Sequence, residues 1–171
     1  MITKAYLFGM LHDATVSRTT YRIAQKNRNY IDFVARELHD MGYAAWTYRE
    51  GKNRSVYIVE FSQFVLKDCV IQTKEDKIEY ICGYFDAEGG IAKSNRVRFY
   101  IYFAQKDLQD LTEVKQFLEE INISCGKIHN PSKHADPNYW RFFVRTHSHK
   151  DFAQIVGSNH PEKLQILRMK I

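Results

Sequence analysis

The stretch "EYICGYFDAEGG", residues 79 to 90, puts two acids, Asp86 and Glu88, at the end of an otherwise apolar helical run, just before a Gly-Gly break. A glycine inside such a run, Gly83, costs roughly 1 kcal/mol against alanine, and close approach of a second backbone is the compensation it predicts. That second backbone is sought upstream. "YLFGMLHDA", residues 6 to 14, has the same layout, with Gly9 in mid-run and Asp13 near its end.

Outward from these two segments the chain is written twice. "AYLFGMLHDATV", "TYRIAQK", "NYIDFVARELHDMGY" and "RSVYIVEFS" are followed, in the same order, by "EYICGYFDAEGGI", "RFYIYFAQK", "DLTEVKQFLEEINI" and "YWRFFVRTH". Ile31, Phe33, Val34, Leu38 and Met41 recur at helical spacing and Gly42 stops the run, as do Leu111, Val114, Phe117, Leu118 and Ile121 in the second half. "RVRFYIYFAQK" alternates instead: Val97, Phe99, Ile101 and Phe103 are expected to pack, with Arg96, Arg98, Tyr100, Tyr102 and Ala104 on the other face. Each half reads helix, strand, strand, helix, strand, strand, and "HKDFAQIVG" adds a short helix to the second. The expected fold is α/β (α+β), with two pseudo-symmetric αββαββ(α) repeats at residues 1–72 and 73–171. Residues 64 to 74 form an ordered connector without Gly or Pro enrichment.

Composition narrows the function classes. With 44% apolar and 14% aromatic residues in 171, the chain can bury a core. It has no apolar run of bilayer length and no secretory layout at "MITKAY", so a soluble, intracellular, cytoplasmic protein is expected. Cys69, Cys82 and Cys125 form no Cys-x-x-Cys pair, and "CGKIHNPSKH" reads as a hairpin, since a zinc site would need a second cysteine. No phosphate-binding glycine loop or nucleophile constellation is present. The net charge of +5 and pI near 9.0 fit a polyanionic partner, and the cations are interleaved with aromatics inside strand-like segments rather than gathered in a tail.

"YICGYFDAEGG" resembles the second signature helix of the LAGLIDADG homing endonucleases, and "YLFGMLHDA" resembles a divergent first one. The repeated order of elements is similar to the single-chain members, so the resemblance covers nearly the whole chain. It implies a monomer with internal pseudo-twofold symmetry, signature helices packed at Gly9 and Gly83, and antiparallel saddle-shaped sheets astride double-stranded DNA. It further implies hydrolysis of DNA with Mg²⁺ or another divalent cation such as Mn²⁺. Glu88, five residues after Gly83, falls where the family keeps its metal-binding acid, and carboxylate with backbone oxygens, those of Ala14 and Ala87, suits a hard cation.

The first motif departs from the family pattern. Five residues after Gly9 stands Ala14, and the nearest acid, Asp13, comes one position early, a rotation of about 100° on an ideal helix. Asp13 is then either a second metal ligand, reached through a tightened last turn, or a seam residue opposite Ala87 in a degenerate half-site. Asp86 is expected to be structural and His12 a packed histidine. The resemblance also gives catalytic roles to Gln25-Lys26 and Gln105-Lys106, where lysine suits charge developing on phosphate. If these lysines mark the DNA side, period two adds Thr20, Arg22 and Ala24 in the first half and Arg96, Arg98, Tyr100 and Tyr102 in the second. Thr47, Arg49, Lys127, His129, Arg141 and Arg145 from the outer strands, with Arg18, Arg54 and Lys93, complete the candidate DNA-binding residues. The competing readings are a cleavage-impaired or nicking DNA-binding descendant and an intron RNA maturase.

Overall fold

A computed structural model describes residues 1–171. Helix α1 (Lys4–Met10) continues as a 3₁₀ turn (Leu11–Asp13) into β1 (Ala14–Val16), and β2 (Thr20–Gln25), α2 (Arg28–Asp40), β3 (Ala45–Arg49) and β4 (Tyr57–Ser62) follow. The second half runs α3 (Lys74–Glu88), β5 (Gly90–Ile91), β6 (Ile101–Gln105), α4 (Leu108–Glu120), β7 (Trp140–Phe143), α5 (His149–Ile155) and α6 (Pro161–Lys170). The first sheet has the strand order β1-β2-β4-β3 and the second β5-β6-β7, with every pairing antiparallel.

Local chemistry sets the helix ends. Thr3 caps α1, and Thr73 with Asp76 forms a reciprocal capping box on α3. The repeated Ala-Gln-Lys is followed in each half by the N-cap of the next helix, Asn27 for α2 and Asp107 for α4. Part of that repeat is therefore a strand end joined to a helix start. Past the other ends of these helices, Gly42 (φ 85°) and Asn122 (φ 65°) take the left-handed conformation that terminates a helix.

One buried cluster runs through both halves. Ile31, Val34 and Leu38 of α2 lie over Ile23, Val59 and Phe61 of the first sheet; Leu111, Val114 and Leu118 of α4 lie over Ile101, Phe103 and Phe142 of the second. α1 and α3 stand side by side at the centre. The connector holds a 3₁₀ turn (Gln63–Leu66) that buries Val65 and Leu66. All three cysteines are free, and no helix is long and apolar enough to cross a membrane.

Three expectations are corrected. The strand read over 96–106 begins only at Ile101, and Val97, expected in the core, is 50% exposed. β5 is two residues long, so residues 96 to 99 have no partner strand to pair with, and alternation without a partner makes no strand. In the second half the outermost strand is reduced to two isolated bridges, Cys125 to Val144 and His129 to Arg141, with one extra residue between them on the outer side, a bulge. Finally, α6 lies beyond the single short helix expected at the end, and it bears on the site.

Candidate nuclease centre and nucleic-acid interface

The seam between α1 and α3 is made by backbone. A Cβ added at Gly83 would sit 1.9 Å from the Tyr6 carbonyl oxygen, and one at Gly9 would sit 2.0 Å from that of Tyr80. Only hydrogen fits at either position, and the two helices accordingly deliver their C-terminal ends to one place.

The one-residue offset of Asp13 is largely absorbed by the 3₁₀ turn. That turn rises about 2.0 Å and rotates about 120° per residue against about 1.5 Å and 100° in an α-helix. Gly9 to Asp13 and Gly83 to Glu88 then cover the same axial rise, about 7.5 Å, and the angular mismatch falls from about 100° to about 40°. Asp13 and Glu88 are the last residues of their helical runs. Gln25 at the end of β2 holds Asp13, its Nε2 donating to Oδ2 at 3.0 Å.

The two carboxyls influence each other. Burial first, and then the charge of Asp13, push Glu88 up to about 7; crowding by protein atoms pushes Asp13 up to about 6 although part of its surface is open, with the Gln25 bond acting against the shift. The positive charge nearest them is a residue the sequence did not single out. Lys163 of α6 donates to the carbonyls of Phe85, of Asp86 at 3.0 Å and of Gly89 at 2.7 Å, closing the C-terminal end of α3. Burial lowers its pKa to about 8, against the pull of Asp86, Glu88 and Asp13.

Asp86 anchors the same helix from the other side. Its carboxylate is 1% exposed and accepts from Tyr6 Oη at 2.6 Å, from the backbone N–H groups of Asn159 at 2.8 Å and His160 at 3.2 Å, and from Ser158 Oγ. α6 is thus fastened to α3 by an acid at its N-terminus and a lysine one turn in. His12 lies half-buried between Asp110, 3.0 Å from Nδ1, and Tyr80 Oη, 2.5 Å from Nε2, tying α1 to α3 and α4. Burial lowers its pKa, so the neutral ring donates from Nδ1 to Asp110 and accepts from Tyr80.

Asp13, Gln25, Lys26, Ala87, Tyr102 and Lys163 line an open cleft of about 840 Å³. The second Gln-Lys pair does not line it. Gln105 Oε1 accepts from the Lys106 backbone N–H at 2.7 Å, and Lys106 Nζ lies 3.9 Å from Asp136. Asp13 and Glu88 supply carboxylate oxygens, the donor type a hard divalent cation takes, and burial raises the pKa of both, which a bound cation would oppose; no third His, Cys, Asp or Glu joins them.

Strand register sorts the remaining candidates. Arg22 faces outward with Thr20, opposite Glu60, and Lys26 is exposed beyond them. Thr47 and Arg49 pair with Val59 and Tyr57 and so lie on the opposite, helix-covered side; the outward residues of β3 are Trp46 and Tyr48, which the assumption about its phase missed. On the second sheet Tyr102, Arg141 and His129 share the outer face with Phe143, the Arg141 guanidinium 5.6 Å from the Tyr102 ring centre and 4.9 Å from that of Phe143. Tyr100 leads into this face. Arg98 donates to Thr146 at 3.0 Å, and Arg145 donates to the Cys125 carbonyl at 3.1 Å. Arg18, Arg96 and Lys127 are exposed, Arg54 pairs with Glu50 at 3.3 Å, and Lys93 pairs with Glu162 at 2.8 Å.

Two mixed halves, joined by a glycine helix seam that ends in paired acids, are a plan that sequence and structure comparison find in known proteins. The family model described as a LAGLIDADG-like domain matches residues 75–157. The fold is similar to I-DmoI in complex with DNA and Mn (17% identity, 92% of this chain and 97% of that one, TM-score 0.65) and with DNA and Ca (15%, 97% and 96%, 0.67). It is equally similar to the N-terminal LAGLIDADG domain of DUF199/WhiA (10%, 96% and 85%, 0.70). No curated protein matches the chain in sequence. Residues 75–157 thus match a LAGLIDADG-like domain, and the whole chain shares its fold with the proteins named above.

Proposed function

We propose that this protein binds a double-stranded DNA site along the outer faces of its two sheets and hydrolyses it at the helix seam, as a monomeric homing-type endonuclease. The observation that carries the reading is the pair Asp13 and Glu88, borne by two helices in backbone contact and near enough for the charge of Asp13 to raise Glu88, with Asp13, Gln25, Lys26 and Lys163 lining one cleft beside them. The I-DmoI structures with DNA and Mn or Ca support it as likenesses of fold.

In this reading Asp13 and Glu88, with the carbonyls of Ala14 and Ala87, would hold Mg²⁺ or Mn²⁺, which when bound activates water and offsets charge developing on the phosphate. The chain's own residues do the rest. Gln25 fixes the Asp13 carboxylate; Lys163 fixes the end of α3 and hence the approach of Glu88; Lys26 faces the phosphate as a mobile cation. Both acids must be ionised to bind a cation.

The Gln105-Lys106 pair, turned away from the cleft, favours a second reading in which one strand is cut poorly and the protein nicks or only binds. A plasmid library of random sites, incubated with Mg²⁺ and then Mn²⁺, separates the two: linear product supports the endonuclease and nicked circles the one-strand reading. Retention of sites without any cleavage would leave a binding module, and preference for intron RNA over duplex DNA would overturn both. Glu88→Gln should abolish whichever cleavage is seen while leaving site retention intact.

A further inference from the structure

The outer face of the first sheet carries a carboxylate in its middle, on a surface that would meet phosphate. Glu60 of β4 stands opposite Arg22 of β2 on one side and Trp46 of β3 on the other. Three groups converge on it: Thr20 Oγ1 donates to Oε1 at 2.6 Å, Tyr48 Oη donates to Oε2 at 2.6 Å, and Arg22 Nε lies 3.2 Å from Oε2. An exposed ion pair alone contributes little to stability. Here, however, the acid is the covered partner, at 17% side-chain exposure, and the arginine the open one, at 43%.

That division matters for what the arginine can do. With Nε committed to Glu60, the plane of the guanidinium is constrained and the donors of Nη1 and Nη2 remain for a ligand. Two parallel donors match the N7 and O6 acceptors that guanine alone presents side by side in the major groove; adenine sets an amino donor against one of them, and thymine a methyl group. The second sheet has no such device, because its outward Arg141 lies against the rings of Tyr102 and Phe143 with Nε buried and unpaired.

We propose that Arg22 reads one guanine in the half-site under the first sheet and that Glu60 is the positioning residue that sets it for that reading. The inference rests on the duplex reading above, and its test keeps the two apart. A random duplex library is selected for binding, with Ca²⁺ present, by the wild type, Arg22→Ala, Arg22→Lys, Glu60→Leu and Glu60→Gln, with thermal melting of each variant alongside. The wild type should enrich a site with guanine at one position of one half. Arg22→Ala, Arg22→Lys and Glu60→Leu should each lose that preference by roughly 5- to 150-fold at that position and at no other. Glu60→Gln, which keeps an acceptor oxygen, should retain part of it; should Glu60→Leu not fold, this partial loss is the measure. Unchanged preference in the Glu60 variants, or relaxation at a position different from that of Arg22→Ala, would overturn the assignment. Failure of the wild type to enrich any duplex would overturn the duplex reading itself.

Discussion

The Glu88 carboxyl is held near 7 and that of Asp13 near 6, both above ordinary acids, because neighbouring protein displaces water and, for Glu88, because Asp13 adds like charge. For acids raised on folding, the stability they contribute is full below the unfolded pKa, near 4, and is lost as pH rises through the folded values. The cation-free protein should therefore lose thermal stability from these groups between pH 4 and about 7.5. Glu88→Gln should flatten that loss, and Mn²⁺ at pH 7.5 should raise the melting temperature of the wild type but not of Glu88→Gln. Asp13→Asn should behave likewise if Asp13 is the second ligand; melting that responds to Mn²⁺ as the wild type does would place it outside the cation site.

His160 supplies the opposite slope. Burial, with Lys163 nearby, lowers its pKa to about 4, and its ring lies 4.7 Å from that of Tyr30. A base depressed on folding contributes stability that is present above the unfolded pKa, near 6.5, and lost as pH falls through the folded value. His160→Gln should remove part of the wild-type acid destabilisation between pH 6.5 and 4, on the order of 2 kcal/mol, read from urea unfolding at each pH.

Among the elements, the seam helices admit a direct test. An added methyl at Gly83 or Gly9 meets backbone, which cannot rotate away as a side chain can. Each glycine-to-alanine change should cost at least about 1–3 kcal/mol in chemical denaturation, although alanine is the better helix former, and Gly126, where an added methyl would stand 3.5 Å from its nearest neighbour, provides a control for added volume. α6 is the second case. Lys163→Met would leave the carbonyls of Phe85, Asp86 and Gly89 without their ammonium donor, at about 1–3 kcal/mol, and would remove the cation that opposes the rise of Glu88. A Glu88 titration followed by NMR should then move above 7.

These elements also show what the sequence could disclose. The Gly9–Gly83 seam was legible because duplication sets two copies of a costly choice side by side, the same duplication that singles out Asp13 and Glu88 for test, and the α2 and α4 faces were legible because burial repeats at 3.6 residues. Lys163 was not, because its partners lie 74 to 78 residues upstream and no local period records so distant a contact. Val97 misled for the complementary reason: its alternation is correct for a strand, but a strand also needs a neighbour. The phase of β3 could not be read from composition, since Trp46 and Tyr48 are as apolar as the residues of a covered face, and only their pairing with Glu60 and Ile58 shows which way they point.

At the scale of the whole molecule the two halves are alike in plan and unlike in finish. The first has four paired strands, an outward Arg-Glu array and a Gln-Lys pair at the cleft; the second has a broken outer strand, an aromatic outer face and a Gln-Lys pair turned aside. On the duplex reading, unequal surfaces would recognise unequal half-sites, so the target should be asymmetric. A palindrome built from either half of a selected site should bind more weakly than the site itself.

Between those surfaces lies a seam in which carbonyl oxygens meet glycine with no side chain to yield. Such a joint fixes a length, and so the protein would measure DNA as well as read it. One base pair inserted between the two halves of a selected site moves the far half about 3.4 Å along the duplex and turns it by roughly 35°. A compliant hinge would follow that displacement and lose little affinity. A backbone joint cannot, and the inserted site should be held no better than one half-site alone.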